Sequence, residues 1–305
     1  MSLPVVFDSD PDQRVHPVVS SRPWLSPATR IAAGCRLSPN ERSRVLSRDR
    51  FLLPYEARLA CGQERAREFA RRLISWSALP LGTVIRVATH EPAIALTFDD
   101  GPDPQWTPTI LDVLERHGAR GTFFVIGKRV RQFPQLLARM VEAGHVIANH
   151  SWDHPSFRRI GGQFRRAQIR WCADAMAPHG ARLFRPPYAD QSLASRLDAL
   201  RCGHQVVLAD VFAEDWRDDA SDILVERVLR RLRRGSIVLF HDSLFTTQEE
   251  RFRDRGPTCQ ALDTLLTSLA ASFRFVTVPE LLQLGRPVRR HSYHRSPLDL
   301  HRQLL

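Results

Sequence analysis

Two histidines four residues apart, in the run His150-Ser151-Trp152-Asp153-His154, can present their imidazoles to one metal ion. Two adjacent carboxylates, Asp99 and Asp100, precede them in the chain. Because a carboxylate from another strand would complete a three-ligand site open to water and substrate, we expect His150, His154 and one of the aspartates to bind a divalent metal. The other aspartate can then act as a base, since adjacent side chains point in different directions.

Three further polar clusters supply the remaining groups that a hydrolase needs. Arg185 can hold a carboxylate bidentately and keep it ionised, and His241 can donate a proton to a leaving nitrogen. Asp215 can hold that imidazole and raise its pKa, while backbone N–H groups near Tyr188 can stabilise an oxyanion. With a metal that polarises a carbonyl and acidifies water, and with Asp99 as the base, these groups suit hydrolysis of an amide or ester.

Each cluster taken alone also has an ordinary structural interpretation. The histidines can be a surface pair, the Asp-Asp-Gly-Pro run a solvated turn, Arg185 part of a surface salt bridge and His241 a satisfied structural histidine. A serine or cysteine nucleophile fits less well, because the sequence has no G-x-S-x-G elbow and no cysteine in these clusters. The position of the clusters relative to the predicted strands favours the catalytic interpretation.

Short β-like runs separated by helical patterns begin near Arg86 and predict seven strands. They are Ala93–Phe98, Thr122–Ile126, His145–Asn149, Arg182–Phe184, Gln205–Asp210, Ser236–Phe240 and Phe273–Val278. The alternation of strand and helix indicates parallel strands with right-handed crossovers, in a doubly wound sheet or a (β/α) barrel. Four of the five polar clusters directly follow a predicted strand, and Asp215-Trp216 lies shortly beyond one. All five should therefore converge at the carboxyl ends of the strands.

Charge and composition divide the chain into three parts. The 305 residues are 43% apolar and carry a formal net charge of +11, which allows a large core and excludes a wholly disordered chain. Residues 85–285 carry only +2 of that charge. We predict a Pro/Arg-rich N-terminal extension over residues 1–84, partly disordered or helical, a catalytic domain over 85–285 and a basic tail over 286–305. The nearly neutral catalytic body gives no reason to expect nucleic acid, whereas the basic ends can make weak contact with an anionic surface.

The cysteines and the N-terminal sequence predict a location in the cell. The five cysteines are odd in number, widely spaced and without a C-x-x-C pair, which favours thiols in a reducing compartment over disulfides or a cysteine zinc site. No basic and apolar secretory leader and no run of 18 apolar residues occurs in the sequence as given. We therefore expect a cytoplasmic protein, with export by a route that needs no such leader left open.

In their order along the chain, the five clusters resemble the polysaccharide deacetylases of carbohydrate esterase family 4, which contain the NodB homology domain. The resemblance covers about Ala93 to Leu282 and includes the connecting segments 121–127 and 144–150. It implies an α/β fold, a distorted (β/α) barrel of about seven parallel strands, here preceded by a partly irregular N-terminal extension. It also implies a divalent metal, usually zinc, with cobalt or another divalent ion as the alternative.

The resemblance further implies a role for each residue of the clusters. The metal ligands are Asp100, His150 and His154. Asp99 is the general base, paired with Arg185, and His241 is the general acid, whose pKa is tuned by Asp215. The substrate contacts are Tyr188, whose backbone N–H helps to form the oxyanion site, together with Pro187, Trp216 and Leu239. The implied reaction removes an N-acetyl group, less often an O-acetyl group, from an acetylated oligo- or polysaccharide and leaves acetate and, in the first case, a free amine.

The sequence indicates the type of reaction more closely than it indicates the substrate. Within the family, the chain looks most similar to the chitooligosaccharide deacetylases, which act on small GlcNAc oligomers, and peptidoglycan, chitin, poly-GlcNAc and acetylxylan are alternatives. A second interpretation keeps the fold and metal but changes the substrate to an O-acetyl sugar or a non-sugar amide. A third, of another class, is a protein that binds an anionic polymer or membrane surface through its basic ends.

One motif position departs from the family pattern. The fourth motif often reads Asp-x-x-Asp-Trp, and Phe212 stands where the first aspartate is expected. The contribution of that aspartate is therefore either absent or supplied by Asp210. Because the core catalytic set is complete, we predict an active enzyme.

Overall fold

The computed structural model describes residues 82–217, 219–247 and 249–291. The predicted N-terminal extension as far as residue 81, and the predicted basic tail beyond residue 291, lie outside these ranges. None of the helices in the described ranges combines the length and apolar character that a membrane span requires.

The described part of the chain alternates strands and helices, as the sequence predicted. The strands are β1 (Thr83–Ala88), β2 (Ala93–Asp99), β3 (Gly121–Val125), β4 (Val146–Asn149), β5 (Gly180–Phe184), β6 (Gln205–Val206), β7 (Val211–Phe212), β8 (Ile237–His241), β9 (Arg274–Val276) and β10 (Arg286–Arg290). The helices are α1 (Trp106–Arg116), α2 (Gly127–Gln132), α3 (Pro134–Glu142), α4 (Gly162–Met176), α5 (Leu193–Arg201), α6 (Ser221–Leu229), α7 (Gly256–Leu269) and α8 (Val278–Gln283).

Seven of these strands form one parallel sheet in the order β6-β5-β4-β3-β2-β8-β7, and β9 adds to the first half of β2, also in parallel. The strands at the two ends of this order, β6 and β7, are consecutive in the chain, with only residues 207–210 between them. The sheet therefore curls, so that this four-residue segment can connect its two end strands. This curled half-barrel confirms the predicted NodB-type fold.

Strand β2 lies at the centre of the sheet and is buried along its whole length. Its side chains alternate between two apolar clusters, because successive side chains of a strand point to opposite faces. Leu96 and Phe98 pack with side chains of α1 and α7, whereas Ala93 and Ala95 join the cluster on the other face. Strand β2 is therefore packed on both faces of the sheet.

Two segments differ from the strands that the sequence predicted. The predicted strand Gln205–Asp210 is shorter in the structure, since β6 comprises only its first two residues. Val207 makes an isolated bridge to Val84, and residues 207–210 connect β6 to β7. The range predicted as a basic tail from residue 286 begins with β10, which pairs antiparallel with β1. The sequence of this segment, Arg-Pro-Val-Arg-Arg, does not by itself predict a strand, so the pairing with β1 accounts for its strand conformation.

Candidate active site

The carboxylate of Asp100 and the imidazoles of His150 and His154 meet at the carboxyl ends of β2 and β4. Asp100 Oδ1 lies 3.3 Å from His150 Nε2 and 3.2 Å from His154 Nε2, and all three residues are buried. Asp100 Oδ2 accepts a hydrogen bond from the backbone N–H of Phe245 at 3.1 Å, which fixes the carboxylate in this orientation. Burial by itself would raise the pKa of Asp100, but the two imidazoles hold it well below its ordinary value.

These three side chains fit a divalent metal. Asp100 Oδ1 is buried and has no hydrogen-bond partner, although two ring nitrogens face it. His150 Nδ1 lies 2.8 Å from the carbonyl oxygen of Arg185, which can only accept, so Nδ1 holds the proton and Nε2 presents its lone pair. A carboxylate oxygen and imidazole nitrogen lone pairs that converge without hydrogen bonds form a donor set suited to zinc or a similar cation.

The metal loop, residues 149–154, is held in shape by hydrogen bonds to its own side chains and to α4. The Asn149 side chain bonds to the carbonyl oxygen of Ile169 and accepts from the N–H of Ser151, whose hydroxyl accepts from the N–H of His154. Gln168 Oε1 accepts two more N–H groups of the loop, at 3.0 and 3.1 Å. Ser151 and His154 have positive φ angles of 74° and 63°, which these bonds compensate.

Asp99, the predicted base, is paired with the buried Arg185, but not through the expected bidentate contact. Arg185 Nη1 donates to Asp99 Oδ1 at 2.7 Å and to Thr97 Oγ1 at 2.9 Å. The contact uses one carboxylate oxygen, because Nε and Nη2 donate instead to the carbonyl oxygens of Val207 and Leu208 at 3.4 and 3.1 Å. Burial lowers the pKa of Arg185, which the charge of Asp99 opposes.

His241, the predicted acid, is held by Asp215 through two bonds. Its Nδ1 lies 2.8 Å from Asp215 Oδ1, and its backbone N–H donates to Oδ2 at 2.8 Å. Burial lowers the pKa of His241, but Asp215, with smaller contributions from Asp100 and Asp99, raises it from 6.5 to about 9. The Asp215 contact at Nδ1 leaves Nε2 as the ring nitrogen that can give a proton to substrate.

Two residues that the sequence analysis did not select also hold Asp215. Thr258 Oγ1 donates to Asp215 Oδ2 at 3.2 Å, and the buried Arg255 donates from Nη1 to the Asp215 carbonyl oxygen at 2.6 Å. The pKa of Asp215 lies below its ordinary value because His241 and Arg255 outweigh the effect of burial. Both supporting residues lie at the start of α7, 40 and 43 positions from Asp215, so no local signal marked them.

Asp242, beside the predicted acid, ties the Asp-Asp-Gly-Pro turn to β8. Its Oδ1 accepts from the Gly101 N–H at 3.0 Å, and its Oδ2 accepts from the Thr107 hydroxyl. A Cβ at position 101 would lie 2.0 Å from Asp242 Oδ2, so only glycine fits there. Burial, with the nearby charges of Asp103 and Asp100, raises the pKa of Asp242 to about 7.

One cavity of about 290 Å³ is lined by all the predicted catalytic and metal residues except Asp215. Asp215 is buried and reaches the cavity only through its bonds to His241. Tyr188, Trp216 and Leu239, predicted as substrate contacts, line it as well. Pro187 is not among the lining residues, because it begins a turn at Pro187–Ala189, and Pro186 takes that place in the wall. The lining residues that the sequence analysis missed are Pro186, Ala189, Leu208, Ala209, Glu214, Leu244, Thr246 and Arg290.

Phe212, the departure from the family pattern, also lines the cavity and makes its wall more apolar. Asp210 does not replace the missing aspartate, which corrects one of the two expectations. Its carboxylate accepts from the N–H of Ile237 at 3.0 Å and from Ser236 at 3.2 Å, at the start of β8. His241 lies at the other end of that strand.

Comparisons with known proteins agree with this geometry. The family model described as polysaccharide deacetylase matches residues 86–207. The chain is 37% identical over 201 residues to a chitooligosaccharide deacetylase of Sinorhizobium fredii, covering 62% of this chain and 91% of that one. It is also 37% identical over 201 residues to a peptidoglycan-N-acetylglucosamine deacetylase of Listeria monocytogenes. That match covers 63% of this chain but only 40% of the longer Listeria protein.

Among solved structures, the chain resembles a family 4 carbohydrate esterase of Streptomyces lividans in complex with acetate. The TM-score is 0.57 at 30% identity, and the match covers 66% of this chain and 99% of that one.

Proposed function

This chain belongs to the polysaccharide deacetylase family, and from that premise we propose that it removes N-acetyl groups from a GlcNAc-containing oligo- or polysaccharide with the help of a divalent cation. It is a hydrolase of carbon–nitrogen bonds other than peptide bonds. The observation that carries the proposal is that a paired base, a paired acid and three metal-type ligands line a single cavity.

Asp100, His150 and His154 would hold the cation, and zinc is the ion that we propose for this donor set. When bound, the cation supplies Lewis acidity, which polarises the acetyl carbonyl and lowers the pKa of water. Asp100 and the two imidazoles are already oriented by the hydrogen bonds of the metal loop, so little reorganisation accompanies binding.

Asp99 takes the proton of the attacking water. Arg185 directs this carboxylate, because the guanidinium is fixed by the carbonyl oxygens of Val207 and Leu208. The oxygen of water forms a bond to the acetyl carbon while the carbonyl electron pair moves to oxygen.

His241 completes the reaction by donating its Nε2 proton to the amide nitrogen. The carbon–nitrogen bond then breaks, and acetate and a free amine leave. Asp215 stabilises the charged imidazolium before this transfer, and Leu239 and Trp216 give the acetyl methyl group an apolar wall.

The test measures acetate release from GlcNAc oligomers by zinc-loaded protein, with O-acetylated sugars and small non-sugar amides as the other substrates. We expect release from the oligomers, its loss with a chelator and its recovery with zinc or cobalt. Asp99→Asn should lower kcat by about 10²- to 10⁴-fold while zinc content stays the same, because the three ligands remain. Unchanged turnover in that variant would exclude the proposed base, and release from small amides alone would exclude the saccharide.

A further inference from the structure

Glu214 joins the wall of the catalytic cavity from the segment between β7 and α6. Its backbone has a φ angle of 57°, in the left-handed region that residues other than glycine rarely adopt. The next residue along the chain, Asp215, holds His241 through two bonds. Backbone strain of this kind clusters at binding and catalytic sites, where the surrounding contacts hold it in place. The position of Glu214 therefore points to a role for its side chain in the cavity.

One oxygen of the Glu214 carboxylate is anchored, whereas the other is not. Oε2 lies 3.4 Å from an Arg217 nitrogen and 3.5 Å from an Arg227 nitrogen. Arg227 is itself fixed, because it donates to the carbonyl oxygen of Ala213 at 2.7 Å and to Asp219 at 2.9 Å. Within the described part of the chain, no group donates to Oε1, and the side chain is 23% exposed. Glu214 therefore offers a ligand in the cavity an oriented acceptor.

The charges around Glu214 favour a neutral donor over a cation as the ligand of Oε1. Two guanidinium groups already compensate the carboxylate, so an ammonium group would gain little there. A hydroxyl group carries no charge and can still donate to Oε1, in a hydrogen bond that the carboxylate strengthens. Phe212 and Trp216 lie two residues to either side along the chain and line the same cavity, where their rings can pack against the C–H groups of a sugar.

We propose that Glu214 binds a hydroxyl group of the saccharide through Oε1 and so helps to place the acetamido group between the base and the acid. The inference rests on the proposed function and adds a substrate-binding residue to it. In a mostly apolar cavity, a few polar groups fix the orientation of the ligand. Glu214 supplies such a group next to two aromatic side chains.

The test is a double-mutant cycle between the Glu214 side chain and the hydroxyl groups of the substrate. The zinc-loaded full chain receives a GlcNAc oligomer and a set of analogues in which one hydroxyl group at a time is replaced by hydrogen. The measured quantity is the ratio of kcat/KM for the oligomer to that for each analogue. For one analogue, we expect this ratio to be about tenfold larger in the parent than in Glu214→Ala, equivalent to about 1.4 kcal/mol.

Two further variants separate this role from a structural one. Glu214→Gln keeps an acceptor oxygen without the charge and should give an intermediate ratio for the same analogue. Glu226→Ala removes an exposed glutamate of α6 that is paired with Arg230 and is not part of the cavity lining, so every ratio should stay as in the parent. Melting temperatures show that each variant is folded.

Equal ratios in the parent and in Glu214→Ala for every analogue would overturn the proposal. Acetate is still released in that case, so the proposed function stands. If the parent yields acetate from neither the oligomer nor any analogue, the proposed function fails, and the role of Glu214 fails with it.

Discussion

The base and the acid are each held by one oppositely charged neighbour, and both lie in one buried site. Arg185 donates to Asp99 at 2.7 Å, and Asp215 accepts from the His241 ring at 2.8 Å. At His241 the charge of Asp215 raises the pKa of the imidazole, because an opposite charge at this distance favours the ionised form.

Replacing Asp215 with asparagine should move the alkaline limb of the pH–rate profile to lower pH. Asp215 is the main cause that raises the pKa of His241 to about 9, so its loss lowers that pKa and with it the fraction of protonated acid at neutral pH. A cation among its ligands offsets the charges of Asp99 and Asp100, so the parent limb itself should lie below pH 9. The measurement is kcat/KM against pH for parent and variant.

The matched control for this experiment is Asp219→Asn. Asp219 is paired with Arg227 at 2.9 Å and is not part of the cavity lining, so its removal should leave the alkaline limb in place. Equal profiles for the Asp215 and Asp219 variants would mean that Asp215 does not set the protonation of His241.

His154→Ala should abolish the stabilisation of the folded protein by zinc. A ligand present at 100 times its Kd adds about 2.7 kcal/mol to the free energy of unfolding, and one lost ligand removes most of that gain. We expect a zinc-dependent rise in melting temperature for the parent and for His179→Ala, an exposed histidine outside the site, but none for His154→Ala. A similar rise in all three proteins would show that zinc binds elsewhere. Calorimetry with and without zinc measures this without any substrate.

At the level of secondary-structure elements, α4 supports the metal loop from outside the cavity. Gln168→Met, similar in length but unable to accept hydrogen bonds, leaves two loop N–H groups without a partner. We expect the free energy of unfolding to fall by about 2 kcal/mol and zinc to bind more weakly by about tenfold, because the loop no longer holds its ligands in place. Chemical denaturation and zinc titration measure the two effects.

Gln163→Met provides the comparison for that substitution. Gln163 is exposed near the start of the same helix, so the same chemical change should leave both stability and zinc affinity nearly as they are. If Gln168→Met bound zinc as tightly as Gln163→Met, the loop would hold its shape without α4.

The residues proposed to contact the metal or the substrate were predictable from the sequence because they lie where predicted strands end. Asp100, His150 and His241 come where a buried β-strand ends, and the sheet brings those ends together in the structure. The fold was predictable for the same reason, since hydrophobic periodicity and the alternation of elements are local properties of the sequence.

Residues that act through others were not predictable, because their partners lie far away in the chain. Thr258 supports Asp215 from 43 residues away, and Thr107 bonds to Asp242 across 135. The exchange of Pro187 for Pro186 in the cavity wall depends on one backbone turn, and β10 forms a strand only because β1 offers it an edge. No local pattern encodes such pairings.

At the scale of the whole molecule, the β1–β10 pair is joined to the curled sheet. Val84 of β1 bridges Val207, and Arg86 bridges Ser236. A chain that ends at residue 285 should therefore unfold more easily than one that ends at residue 291. We expect a difference of about 3 kcal/mol in the free energy of unfolding, from several backbone hydrogen bonds at about 1 kcal/mol each. Urea denaturation of the two chains measures it.

The chain that ends at residue 291 is the control, since the two proteins differ only by the described residues 286–291. Equal stabilities would show that β10 contributes nothing to the fold and that the domain ends at residue 285, as the sequence predicted. The roles of the N-terminal extension and of the basic ends, and the cytoplasmic location, stay predictions.

Arg185 joins the middle of the sheet to the segment that closes it. Its guanidinium bonds to Thr97 and Asp99 of β2 and to the carbonyl oxygens of Val207 and Leu208, which follow β6. Along the chain, Arg185 is 88 and 86 residues from Thr97 and Asp99. It is 22 and 23 residues from Val207 and Leu208. Each of these contacts closes a loop of the chain at a cost in conformational entropy, and the longer loops cost more. The arginine that directs the base is therefore in place only in the completed fold, so Arg185 links the geometry of catalysis to the closure of the sheet.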